Sequence, residues 1–179
     1  VNAWEASARI EAQGAASRTI RHGVTTTSEV PAVVDFNAAN LTLASLCSAA
    51  DPLRTVACSP ASLSALAGGG MNINRAVAYL RGSRTDEGVL RTRTSILGDI
   101  VNSSPVVTVP TDDYGYRDLG GTLGSTYADY LTSKATTARP LVLFGANDGM
   151  FHVVDGRDSG SGGQEDFAYI PATALGHMG

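Results

Sequence analysis

Histidine, carboxylate, cysteine and serine are the residues of this chain that could carry acid–base, metal, redox or nucleophilic chemistry, and their spacing speaks against most of it. His22, His152 and His177 have no metal-ligand spacing. His152 falls in an apolar run, where a neighbouring carbonyl can satisfy one ring nitrogen. Asp155, Asp158, Glu165 and Asp166 crowd one stretch, but DGRDSGSGGQED lacks the Asp-x-Asp-x-Asp-Gly spacing that wraps oxygen ligands around calcium. Asp99 and Asn102, short Asx side chains beside Ser-Ser-Pro, are expected to bond nearby backbone amides rather than a cation. No Gly-x-Ser-x-Gly elbow presents a nucleophile. The glycine strings 68–70 and 160–163 have neither a P-loop ending nor dinucleotide spacing. The expectation is no enzyme and no cofactor in this chain.

Cys47 and Cys58 are the only cysteines of the sequence. They flank a loop containing Asp51-Pro52, with Pro60 just beyond, so they could close a small ring; two buried thiols are the alternative, and sequence alone does not decide between them.

The whole sequence bounds the remaining classes. Its 179 residues are enough for one domain but few for a closed many-bladed propeller. A charged fraction of 17% with 20 glycines fits a folded chain rather than disorder. A net charge of −4 gives no electrostatic reason to expect nucleic acid. No apolar run approaches the roughly 20 residues that cross a bilayer, and VNAWEASARI does not look like a signal peptide, so any export signal is expected upstream.

The elements that position these residues are short. Val24 to Thr27 and Ala32 to Phe36 look like strands, and Asn40 to Ala49 like a short helix. After Gly68-Gly69-Gly70, Asn72 is placed to cap a helix with Ile73, Ala76, Val77 and Leu80 on one face and Gly82 at its end. Ser83 to Thr94 reads as a solvated loop whose charges need no special role. Beyond Ile96, Asn102-Ser103-Ser104-Pro105 turns into a strand at Val106 to Val109. An insertion over residues 111–139 follows, with a helix expected from Ser125 to Ala135 and Tyr127, Tyr130 and Leu131 on one stripe. Leu141 to Gly145 and Met150 to Val154 form a hairpin around Asn147-Asp148-Gly149, a turn whose residue types suit left-handed conformations. Phe167 to Ile170 then adds a strand closed by Pro171.

Four sequential up-and-down strands are what one propeller blade requires. The expected fold is mainly β, a partial β-propeller with quinoprotein-like blades and short helical insertions. Residues 1–95 would form an entry segment that includes a strand of an adjoining blade near Trp4. Residues 96–179 would form one four-stranded blade.

Three ordered motifs resemble the PilY/PilC family of type IV pilus tip-associated adhesins. They are Leu97-Gly98-Asp99-Ile100-Val101-Asn102-Ser103-Ser104-Pro105-Val106, then Gly145-Ala146-Asn147-Asp148-Gly149-Met150-Phe151-His152, then Ala168-Tyr169-Ile170-Pro171. Trp4-Glu5-Ala6 and Asn74 to Gly82 are similar to upstream segments of that family. Phe151, Val153-Val154 and the loop 155–163 depart from its pattern. The resemblance implies a pilus-assembly and adhesion protein, exported through the periplasm to the pilus tip or outer membrane. Its partners would be pilins or minor pilins and a host-cell or abiotic surface, and it would not span a membrane. It also places calcium, if anywhere, in the parent beyond this chain. Tyr114, Tyr116, Tyr127 and Tyr130 then mark the insertion as a contact loop. The rival readings are a quinone-dependent dehydrogenase propeller, because such blades share the Ser-Pro and Asp-Gly pattern, and a purely structural envelope scaffold.

Overall fold

The computed structural model describes residues 3–25, 31–48 and 58–179. Its strands are β1 (Ile20–Thr25), β2 (Pro31–Asp35), β3 (Val106–Thr108), β4 (Leu141–Gly145), β5 (Phe151–Asp155) and β6 (Glu165–Ile170). They make one sheet in the order β2-β1-β6-β5-β4-β3. β3 to β6 form an antiparallel meander, with Val107 opposite Val142, Phe144 opposite His152 and His152 opposite Ala168. β1 joins the outer side of β6 in parallel, Arg21 opposite Tyr169, and β2 pairs antiparallel with β1. The first strands of the chain thus extend the same sheet.

The helices are α1 (Ala6–Gln13), α2 (Leu43–Leu46), α3 (Pro60–Gly69), α4 (Ile73–Leu80), α5 (Gly121–Thr137) and α6 (Ala172–Leu175). They are more than the short insertions expected, because α5 alone runs 17 residues. Among the described residues no strand lies near Trp4: Trp4 precedes α1, and its indole donates to the Arg157 carbonyl at 2.7 Å. Apolar residues in this segment follow a helical rather than a two-residue repeat, with Ile10 fully buried. α3 was not legible because its glycines look like a break. Ser59 and Ser62 nonetheless form a capping box with Pro60 in the first turn, and the helix kinks only at Leu66 to Gly68.

α4 starts where Asn72 accepts from the Arg75 amide at 3.2 Å, and it buries Val77. α2 is shorter than expected, with Thr42 as its cap, while Asn40 donates to the Asp35 carbonyl at 2.9 Å. β3 ends one residue early, since the Val109 amide turns to the Asp112 carboxylate at 2.8 Å. Asp51-Pro52, Ala49 and Thr26-Thr27 lie outside the described residues.

Two cores flank the sheet. Ile20, Phe36, Leu46, Val77, Met150 and Ile170 pack with α2, α4 and α6, whereas Ile10, Ile96, Phe144 and Val154 pack with Trp4 and Leu97. β5, central in the meander, is buried on both faces from His152 to Asp155. The β3 edge of the sheet is exposed: Val106 and Val107 are each 58% exposed.

Cys47 and Cys58 are disulfide-bonded, with Cα atoms 5.2 Å apart. Closing so short a loop restricts the unfolded chain and is worth about 3 kcal/mol. Thermal unfolding with and without reductant is expected to show a clear loss of stability on reduction, matched by Cys47→Ser; an unchanged midpoint contradicts a stabilising bridge.

Candidate functional site

The first two sequence motifs meet in space. The Gly98 amide donates to the Asp148 carboxylate at 3.1 Å, the Asn147 amide donates to the Asp99 carbonyl at 3.0 Å, and the Gly145 amide donates to the Ser103 hydroxyl at 2.9 Å. The segment 97–103 is therefore sewn onto the β4–β5 hairpin ahead of β3. Gly98 must be glycine because a Cβ there would run into the Asp148 backbone nitrogen. Gly149, at φ 84°, supplies the left-handed residue of the turn. The carboxylate of Asp99 and the side-chain amide of Asn102 do not make the expected bonds to neighbouring amides; both side chains are exposed without a bond among the described residues. Pro105 is exposed at the entry to β3.

Behind this junction lies a buried chain of charges. His152 Nε2 faces Asp148 at 3.1 Å, and Nδ1 faces Glu165 Oε1 at 2.8 Å. Glu165 is gripped bidentately by Arg18, at 2.7 and 2.9 Å. Arg18 also donates to the Arg81 carbonyl at 2.8 Å, and Arg81 reaches back to the carbonyls of Arg18, Ala15 and Phe36. The expected carbonyl partner of His152 is thus replaced by two carboxylates. The reason is register: β5 and β6 pair so that Glu165 lies beside the ring, and the hairpin turn places Asp148 on its other side.

Burial opposes a charge on His152, but the carboxylates of Asp148 and Glu165 outweigh it and raise its pKa above the ordinary 6.5. For Asp148, burial favours the neutral acid, yet bonds from His152 and from the Gly98 and Met150 amides hold it below the usual carboxylate range. Glu165 is likewise lowered against its burial, by His152 and Arg18.

The polar stretch 83–94 is not the free loop its composition suggests. Asp86 is buried and paired with Arg75, Glu87 receives both Arg84 and Arg93, and the Arg93 guanidinium lies 3.8 Å from the Tyr79 ring centre. Its charges build a strap that, with residues 95–99 and the turn at Asn147-Asp148, walls a polar cavity of about 370 Å3. Asp155 and Asp166 are similarly spent, whereas Asp158 is exposed. Arg157, assisted by Ser161, holds Asp155 well below the usual carboxylate range despite its burial, and Arg139 bridges Asp155 and Asp166. Among the described residues, no group of three or more His, Cys, Asp or Glu is placed to hold a metal ion.

Tyr116, Tyr127 and Tyr130 gather on the insertion, and the Tyr114 amide donates to the Tyr127 hydroxyl at 3.2 Å. This face is formed by α5 and the 3-10 turn Tyr116–Asp118, between the two segments of the junction in sequence.

Residues 97–177 match the family model described as the PilY1 beta-propeller domain. This part of the chain is similar to PilY1 proteins. The matched region starts at the motif junction and ends just after β6 and α6. A "Type IV pilus biogenesis factor PilY1 homolog" of Xylella fastidiosa is 39% identical over 103 residues, 55% of this chain and 8% of that protein. "Type IV pilus biogenesis factor PilY1" of Pseudomonas aeruginosa strain PAK is 40% identical over 101 residues, with the same shares. The chain spans about 8% of the length of these relatives. No solved structure matches it. No helix among the described residues is long and apolar enough to cross a membrane.

Sequence reasoning missed Arg18, Arg81 and the His152–Glu165 pair. Only the spacing of Asp148 and His152 across the hairpin turn carried a local signal.

Two outcomes test this junction. Gly98→Ala is expected to cost about 1–3 kcal/mol, as overpacking against fixed backbone does; a denaturant titration matching wild type contradicts the close approach. For pH, the imidazolium contribution is fully present below about 6.5 and is lost as pH rises through the raised His152 value. The lowered carboxylates contribute fully above their ordinary values of 3.8 and 4.5 and lose this as pH falls. The stability gap between wild type and His152→Gln should therefore narrow as pH rises above about 6.5 and through the raised His152 value. A constant gap is inconsistent with a charged His152.

Proposed function

We propose that this chain is part of a non-enzymatic type IV pilus biogenesis factor that supports pilus assembly and adhesion to surfaces or host cells. The observation that carries the reading is the match of residues 97–177 to the PilY1 beta-propeller domain, together with relatives named for pilus biogenesis. On this reading the meander β3 to β6 is one propeller blade of the parent. The exposed valines of β3 fit that role, because a blade edge near the axis is covered only by its neighbours.

The parent would be exported and held at the pilus tip or outer membrane, with pilins or minor pilins as partners. Calcium, if the parent uses it, would be bound elsewhere, a reading supported by the pairing of Asp155 and Asp166 with arginines. The rigid sheet carries the insertion 111–139 as its variable projection, and Tyr114, Tyr116, Tyr127 and Tyr130 form the contact loop.

Deleting Tyr114 to Leu131 from the full-length parent is expected to reduce surface attachment while pili remain visible by electron microscopy. Unchanged attachment removes this loop from the contact surface; loss of pili assigns it to assembly instead.

A further inference from the structure

The pleat sorts the strand residues onto two faces with different surroundings. Phe144, His152, Ala168 and Ile20 lie in register across β4, β5, β6 and β1, and all four are buried. Ile10 of α1, Leu46 of α2, Val77 of α4 and Leu175 of α6 belong to the cores that cover this row and its neighbours. Val107, at the β3 edge, is the exception on that face.

The alternate residues make a second row, Val106, Leu143, Val153 and Phe167, again in register across four strands. None of the four belongs to either core, although Val153 is itself buried. Both ends of the row are open, with Val106 58% and Phe167 40% exposed, and Phe151, one pleat along β5, is exposed too. One pleat the other way, Asp155 is neutralised by Arg139 and Arg157. This face therefore offers an apolar row without an unpaired charge on β5, the kind of exposed surface that marks an interface.

We infer that the sheet takes a neighbouring sheet of the parent protein on this face only. The row from Val106 to Phe167 packs against the apolar face of one further β-sheet, at the spacing of about 10 Å that interdigitating sheets adopt. The chain's own helices close the opposite face. Residues 97–177 match a beta-propeller domain, and the chain spans about 8% of the length of its relatives, so the nearest source of such a sheet is the parent polypeptide. A blade inside a ring meets a neighbour on each face. This one has room for one, so the radial repeat is interrupted at its helical side. The inference rests on the reading of the meander as a blade of the parent.

The test uses the full-length parent with p-benzoylphenylalanine in place of Phe167, irradiated and digested for mass spectrometry. The expected adduct joins this position to a strand of the same polypeptide outside residues 1–179. The same probe in place of Ile73, among the helices, should capture only peptides from within that range. Phe167→Cys is expected to react with a maleimide at least about tenfold more slowly than Asp158→Cys in the folded parent, and equally fast in denaturant. Where circular dichroism shows that a variant has unfolded the parent, Val106 replaces Phe167 and Leu80 replaces Ile73 as the probed position.

Capture of a second copy or of a pilin by the probe at Phe167, or equal reactivity of the two cysteine variants in the folded parent, overturns the neighbouring sheet. Capture of an outside strand by the probe at Ile73 overturns the closure of the helical face. If a pilin is captured, the pilus-assembly reading stands and only this interface is wrong. If the sheet is captured but pili and attachment are unaffected by deleting the parent's gene, the packing stands and the functional reading fails.

Discussion

The structure turns on one imidazole held between two carboxylates. His152 sits fully buried on β5, with Asp148 on one ring nitrogen and Glu165 on the other. Arg18 completes the set, so the four side chains sum to zero charge only when the ring is protonated. Taking charges out of water costs several kcal/mol per ion, and a buried pair is weak evidence of net stabilisation. Removing one partner, however, strands the others, so the cluster tolerates one arrangement of its elements and penalises the rest.

That constraint reaches widely. Through Asp148 it holds the Gly98 amide and therefore the segment leading into β3. Glu165 and Arg18 tie β5 and β6 to the chain just before β1, and Arg81 joins the end of α4. The parallel pairing of β1 on β6 lies next to this cluster, with the Ala168 amide bonded to the Thr19 carbonyl at 2.9 Å. Helical, hairpin and N-terminal parts thus share one polar joint between two apolar cores.

Much of this architecture was legible in local chemistry. Asn72 and its apolar face announced α4, the Asn-Asp-Gly turn announced the β4–β5 hairpin, and the tyrosine stripe announced α5. What stayed hidden depends on distance in sequence. Arg18 and Glu165 are 147 residues apart, and nothing in a single sequence pairs them. The charges of Ser83 to Thr94 look solvated until α4 brings Arg75 and Tyr79 beneath them. The Trp4 segment misled because a motif resemblance was read as a strand, whereas its apolar spacing is helical.

The most direct measurement is an NMR titration of the His152 ring nitrogens in the intact chain. The account predicts a doubly protonated ring at about pH 6.5 and a midpoint above that value, with the midpoint falling in Glu165→Gln. A neutral tautomer at about pH 6.5, or a midpoint indifferent to Glu165, would contradict it.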